Sequence, residues 1–173
     1  MVRFPAGFQV EPLERRHPRS SFRSGQAQVD HWLATGALQS QKKHLSATRV
    51  LIDPQGAVAG FYTLATAQAD FSDLPPDLAR QLPRRNLPVA VLAWLGVAED
   101  LQGEGLGSRL LAQALRDCHD AGRTFPVVAV ILDCIDEKAK TFYRRWDFRP
   151  LPGHANRLFL SWRELEAMVA GVS

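Results

Sequence analysis

The sequence predicts an α/β (α+β) fold, one mixed central sheet with helices around it, and three observations predict it. The runs VAVLAWLGV (89–97) and VVAVILDCI (127–135) are almost continuously apolar, as strands covered on both faces of a sheet are. Each leads into a segment of helical spacing, the first through a glycine-rich loop and the second directly. ATRVLID and AVAGFYTLATA flank the tripeptide PQG and read as a hairpin, which adds antiparallel strands. With 173 residues, 46% hydrophobic and 23% charged, the chain is expected to form one domain over residues 1–173 with a sizeable core.

Taken in order, GFQVEPL (7–13) reads as a short strand, followed by the basic, proline-containing loop ERRHPRSSF. In SGQAQVDHWLATGALQSQKKHL (24–45) Ser24 is the expected N-cap and Val29, Trp32 and Leu33 keep helical spacing. Gly36 breaks that run, and a second helix carries Leu38 and Leu45. After the hairpin, residues 70–88 are proline-rich and read as a loop with one helical turn near 76–80. The apolar strand 89–97 is followed by the loop of Gly103, Gly105 and Gly107. Leu106, Leu110, Leu111, Ala114, Leu115 and Cys118 then fall on one stripe of an amphipathic helix. DEKAKTFYRRWDF, after the strand 127–135, starts a helix with Asp136 as N-cap and Glu137 in the first turn. Strands near 148–150 and 157–162 and a short C-terminal helix complete the chain, without an internal repeat.

Composition narrows the function classes. Cys118 and Cys134 lie in apolar runs with no C-x-x-C neighbour, so reduced core thiols are expected rather than a disulfide or zinc site. The five histidines form no H-E-x-x-H or similar cluster, and no metal is expected. No stretch approaches the roughly 18 apolar residues of a membrane helix, and the first residues lack a continuous apolar signal core, so a cytoplasmic protein is expected. A net charge of +3 and an isoelectric point near 9.2 permit a polyanionic partner without demanding one.

The glycines carry the chemistry. Three glycines in five residues, at the opening of a helix, suit a backbone that must take positive φ or approach a ligand closely. Unpaired N–H groups and the positive end of the helix dipole make such a place an anion site. The spacing is not that of a P-loop, since Ser108 and Arg109 follow Gly107 with no lysine in register. Nor is it G-x-G-x-x-G, since Gly103, Gly105 and Gly107 run G-x-G-x-G. It is Q/R-x-x-G-x-G/A, with Gln102, Gly105 and Gly107 at the specified positions, and here the sequence resembles the GNAT superfamily of N-acetyltransferases. The order of elements matches that family over nearly the whole chain. The resemblance implies a sheet of about six to seven strands, with parallel fourth and fifth strands splayed at their carboxyl ends, and about four helices. It implies acetyl-coenzyme A as cofactor, with its pantetheine arm along Leu95, Gly96 and Val97. The pyrophosphate would lie over Gln102, Gly103, Glu104, Gly105, Leu106, Gly107 and Ser108, and the Val97 N–H would stand near the acetyl carbonyl as an oxyanion donor does.

AKTFYRRWDF is the second motif. Ala139 and Tyr143 share one helix face, so a small residue leaves room where a hydroxyl-bearing ring points. The resemblance implies that Ala139 and Phe142 line the cofactor and that Tyr143 protonates the departing thiolate. A phenol of pKa about 10 stays protonated at neutral pH and can do so. Glu99 and Asp100 stand where some members place a carboxylate, but no general base stands out. An acceptor α-amine of pKa about 7.7–8.0 needs one less than a lysine of about 10.4 does.

Several segments narrow the resemblance to the toxin branch, which acetylates the α-amine of aminoacyl-tRNA and pairs with a ribbon-helix-helix antitoxin. They are RSSFRSGQAQVDHWLATGALQSQKKHLSATRVLID, GFYTLATAQ, LPPDLARQLPRRNLPVAVL and FYRRWDFRPLPGHANRLFL. Lys42, Lys43 and Arg49, with Arg84 and Arg85, are then the expected contacts to a phosphate backbone. The branch often carries G-R-x-A-V in the fourth strand, where this chain reads AWLGV and has Trp94, so either tRNA binding would weaken or stacking on a base or the terminal adenosine would replace a charge contact. Glu104 stands where a basic residue is frequent. A homodimer is compatible with the resemblance. Two other readings stay open: transfer to a small-molecule amine or a protein amino terminus, and a coenzyme A-binding domain without catalysis.

Overall fold

The structure, a computed structural model, describes residues 2–171. Its strands are β1 (Gln9–Pro12), β2 (Ala47–Ile52), β3 (Val58–Ala69), β4 (Leu87–Val97), β5 (Ala129–Asp133), β6 (Arg149–Leu151) and β7 (His154–Ser161). Its helices are α1 (Ala27–His31), α2 (Ala37–Lys42), α3 (Pro76–Ala79), α4 (Leu106–Gly122), α5 (Glu137–Arg144) and α6 (Trp162–Gly171). The strands form one sheet in the order β1-β2-β3-β4-β5-β7-β6. The predicted mixed sheet is therefore present, with β4 and β5 parallel and the β1-β2-β3 and β5-β7-β6 pairings antiparallel where registers are defined. The chain divides into two compact units, Met1–Ala65 with Leu92–Leu115 and Thr66–Val91 with Arg116–Ser173.

In the first unit the hairpin β2–β3 turns at Gly56, whose φ of +86° is the left-handed value that glycine adopts without strain. Gly60 on β3 has a different reason to be glycine. A Cβ there would lie 2.6 Å from Leu110 Cδ1 and 2.9 Å from the Gly96 carbonyl oxygen, so β3 meets both α4 and β4 only without a side chain. Gly96 is constrained likewise, since its Cβ would lie 2.8 Å from Val29 Cγ1 of α1. The apolar stripe predicted for α4 is found, with Leu106, Leu110, Leu111, Ala114, Leu115 and Cys118 all buried.

The helix predicted from residue 24 differs in three ways. Ser24 sits ahead of α1 and not at its cap: its N–H and hydroxyl both donate to Asp30 Oδ1, at 2.9 and 2.6 Å. Between α1 and α2 the chain makes a π-helical turn over Trp32–Gly36. And α2 stops at Lys42, leaving Leu45 outside it and 66% exposed. The stop is a Schellman motif: the Leu45 N–H donates to Ser40 O at 3.0 Å and the His44 N–H to Gln41 O at 3.0 Å, with His44 left-handed at φ +57°.

In the second unit β4 and β5 pair through Ala90↔Val130 and Val91↔Ile131. β5 is buried along Ala129, Val130, Ile131 and Leu132 and pairs with β7, where Arg157 opposes Asp133 and closes a salt bridge at 2.8 Å. The Asp136 side chain accepts the Ala139 N–H at 2.8 Å, the N-cap expected for α5. Cys118 and Cys134 are free and buried, and burial pushes the Cys118 thiol up to about 12. Among the described residues, no helix is long and apolar enough to cross a membrane.

Candidate active site

The glycine loop belongs to the first unit. A 3-10 turn, Glu99–Leu101, follows β4, and the chain then runs through Gln102 to the start of α4 at Leu106. Gly103 and Gly105 take φ of +85° and +82°, whereas Glu104 between them is not among the left-handed residues. Backbone of alternating hand turns successive N–H groups towards one side and makes an anion-binding concavity. A Cβ at Gly103 or Gly105 would meet nothing within 4 Å, so there is room beside that backbone. Gly107 lies inside the first turn of α4 and Ser108 follows it, where helix N–H groups lack intrahelical partners. The loop thus fits a pyrophosphate. Gln102 does something else with its side chain: Nε2 donates to Ser24 O at 2.7 Å and to Val97 O at 3.0 Å, pinning the loop to the segment before α1 and to the end of β4.

The end of β4 carries Leu95 and Val97, half-buried, on either side of buried Gly96. Ala98 N–H donates to Ala59 O and Glu99 N–H to Arg23 O, each at 2.8 Å, which fixes the strand end just ahead of the loop. Trp94 stacks on Trp32 of the π-turn, with ring centroids 5.6 Å apart and planes 13° apart. Lys42, Lys43 and Arg49 are exposed. Arg49 lies on β2 opposite Pro12, and Gln41 ties the end of α2 to Leu13 O and Thr48 N.

In the second unit Tyr143 lies on α5, 8% exposed, with Phe142 and Phe148 edge-on to its ring at centroid distances of 5.1 and 5.9 Å. Burial first, and Cys134 second, push its ionisation well above the ordinary tyrosine range, so it stays a proton donor. Ala139, one turn earlier, and Phe142 are half-buried. Arg84 and Arg85 are exposed on the loop before β4, with the Arg84 guanidinium 5.9 Å over the Phe71 ring.

Sequence reasoning missed the pairing of Trp32 with Trp94 and the part played by Ser24. Both are contacts between residues far apart in the chain, and neither has a spacing signature. Among the described residues, no group of three or more His, Cys, Asp or Glu side chains is placed to hold a metal ion.

Known proteins share this fold. Residues 46–150 match the family model described as acetyltransferase (GNAT) domain. The chain is 31% identical over 150 residues to the tRNA-acetylating toxin of Mycobacterium tuberculosis (strain ATCC 25618 / H37Rv), covering 87% of this chain and 89% of the toxin. Among solved structures it is similar to AtaT complexed with acetyl-methionyl-tRNAfMet, with a TM-score of 0.85 and 25% identity over 93% of this chain and 98% of that one. It is also similar to AtaTR bound with AcCoA, with a TM-score of 0.83 and 26% identity over 94% and 98%.

Proposed function

The chain belongs to the GNAT acetyltransferase family, and from that premise we propose that it transfers the acetyl group of acetyl-coenzyme A to the α-amine of aminoacyl-tRNA and so blocks translation. The observation that carries the chemistry is Tyr143, buried on α5 and held neutral by that burial. The likeness to the Mycobacterium tuberculosis toxin supports the acceptor. We read residues 1–173 as one functional domain, at work in the cytoplasm beside the translation machinery and held in check by a ribbon-helix-helix antitoxin.

Bound acetyl-coenzyme A supplies a thioester whose carbonyl carbon takes the amine and whose sulfur leaves. The chain's own parts follow from their chemistry. Backbone N–H groups of Gly103, Glu104, Gly105, Leu106, Gly107 and Ser108 hold the pyrophosphate. Leu95, Gly96 and Val97 hold the arm by backbone, the Val97 N–H polarising the carbonyl, while Ala139 and Phe142 line the arm. Gln102 keeps the loop in place through its carboxamide. Tyr143 gives its proton to the leaving sulfur. The attacking nitrogen must be neutral, which an α-amine of pKa about 7.7–8.0 achieves near neutral pH without a dedicated base. Lys42, Lys43, Arg49, Arg84 and Arg85 meet phosphates of the tRNA, and Trp94 meets its end.

An assay with radiolabelled acetyl-coenzyme A tests this. A mixed pool of charged tRNA should become labelled on its aminoacyl groups. Labelling of a small amine or a peptide terminus with none on charged tRNA would overturn the acceptor. Binding of the cofactor with no transfer to any amine would leave a domain without catalysis.

A further inference from the structure

Trp32 and Trp94 stack on each other and are partly buried, packed against the core of the first unit with part of each ring left open. Trp32 is held more firmly than packing alone requires. Its Nε1–H donates to Thr63 Oγ1 at 3.0 Å, and Thr63 Oγ1 meets Thr48 Oγ1 at 2.7 Å, both threonines being buried. Gly36 completes the seat, since a Cβ there would lie 2.7 Å from Trp32 Cε3. The π-turn Trp32–Gly36 sets this ring out of step with the helix around it, and such turns recur at functional sites. A buried hydroxyl pair, a glycine and an irregular turn thus fix one indole whose ring stays partly open to solvent, the kind of support a binding side chain needs.

We propose that the stacked Trp32–Trp94 pair is the platform on which the terminal adenine of the acceptor lies, a role that rests on the aminoacyl-tRNA reading above. An aromatic platform takes a base by its π-face. Reach decides which part of the acceptor meets it. Trp94 shares β4 with the residues assigned to the cofactor arm, and Val97 lies roughly 10 Å further along the strand. About seven bonds separate the α-nitrogen from the first ring atom of the terminal base, a span of about 8 Å at ~1.2 Å of reach per bond. Most aminoacyl side chains end after about three to five bonds, or about 4–6 Å, and fall short. The base bridges the gap and the side chain does not, so the platform is indifferent to which amino acid is attached.

The test compares two acceptors carrying the same amino acid, a 3′-aminoacyl-adenosine and the corresponding methyl ester. The wild-type protein should prefer the adenosine compound in kcat/KM. Trp94→Ala should shrink that preference by about 5- to 100-fold, by the same factor for glycyl, methionyl and phenylalanyl forms. Trp94→Phe, which keeps a ring against Trp32, should retain most of the preference, and serves if the alanine variant does not fold. A preference that survives Trp94→Ala, or that shrinks by factors differing between amino acids, overturns the platform. A wild-type protein that acetylates small amines but neither charged tRNA nor aminoacyl-adenosine fails the parent reading as well.

Discussion

Removing one oxygen atom from Tyr143 should separate chemistry from binding. Tyr143→Phe keeps the ring between Phe142 and Phe148 and removes only the proton, so kcat should fall by about 10²–10⁴-fold. Acetyl-coenzyme A affinity, read by calorimetry, should stay nearly unchanged; full turnover would mean that water supplies the proton. Because burial raises the phenol's ionisation, its acid form persists through neutral and mildly alkaline pH. The kcat profile should show no alkaline fall below about pH 10, and a fall there would assign the proton to another group. The same shift makes the neutral phenol stabilising below its unfolded pKa of about 10, a contribution lost only as pH rises from there through the raised native value. Tyr143 was legible in the sequence because its motif is local. The hydrogen bonds of Gln102 were not, since Ser24 is distant in the chain and nothing in its spacing announces the contact.

At the scale of elements, the amphipathic stripe of α4 and the Asp136 cap of α5 follow from periodicity and capping chemistry, and both were readable. The end of α2 was not, because a histidine occupies the left-handed position where glycine would have given the stop away. That residue carries a strain, so His44→Gly should raise stability by roughly 0.5–1 kcal/mol, seen as a higher urea midpoint with an unchanged slope. The glycines of the loop can be told apart in the same way. Gly103 and Gly105 are needed for their φ, whereas Gly107 sits within a helix and tolerates a side chain conformationally. Gly107→Val should therefore stay folded and lose acetyl-coenzyme A affinity by calorimetric titration. Unchanged affinity would remove the pyrophosphate from this loop.

For the whole molecule, the fold class was legible because two apolar runs and a hairpin specify a mixed sheet. The insertion of β7 between β5 and β6 was not, since strand order depends on contacts across the chain. Charge is also a whole-molecule property, with exposed basic groups in both units and a net charge of only +3. If those groups meet phosphates, transfer to charged tRNA should weaken with salt by a log–log slope of about −0.7 to −0.9 per contact. Arg84→Glu with Arg85→Glu should flatten that slope and lower activity while leaving acetyl-coenzyme A affinity intact; an unchanged slope would move the tRNA path elsewhere. The two hydrogen bonds from Gln102 bear on how cofactor and acceptor communicate. Ser24, whose carbonyl takes one of them, also anchors Asp30 of α1, the helix that runs into the turn bearing Trp32. The loop proposed for the cofactor and the platform proposed for the acceptor are thus fastened to the same short segment, so a ligand that orders one is expected to favour order in the other. Thermodynamic reciprocity then requires each ligand to tighten the other by the same factor. Acetyl-coenzyme A titrated with and without an aminoacyl-adenosine analogue should show several-fold tightening in the wild-type protein, and Gln102→Ala should bring the two affinities together.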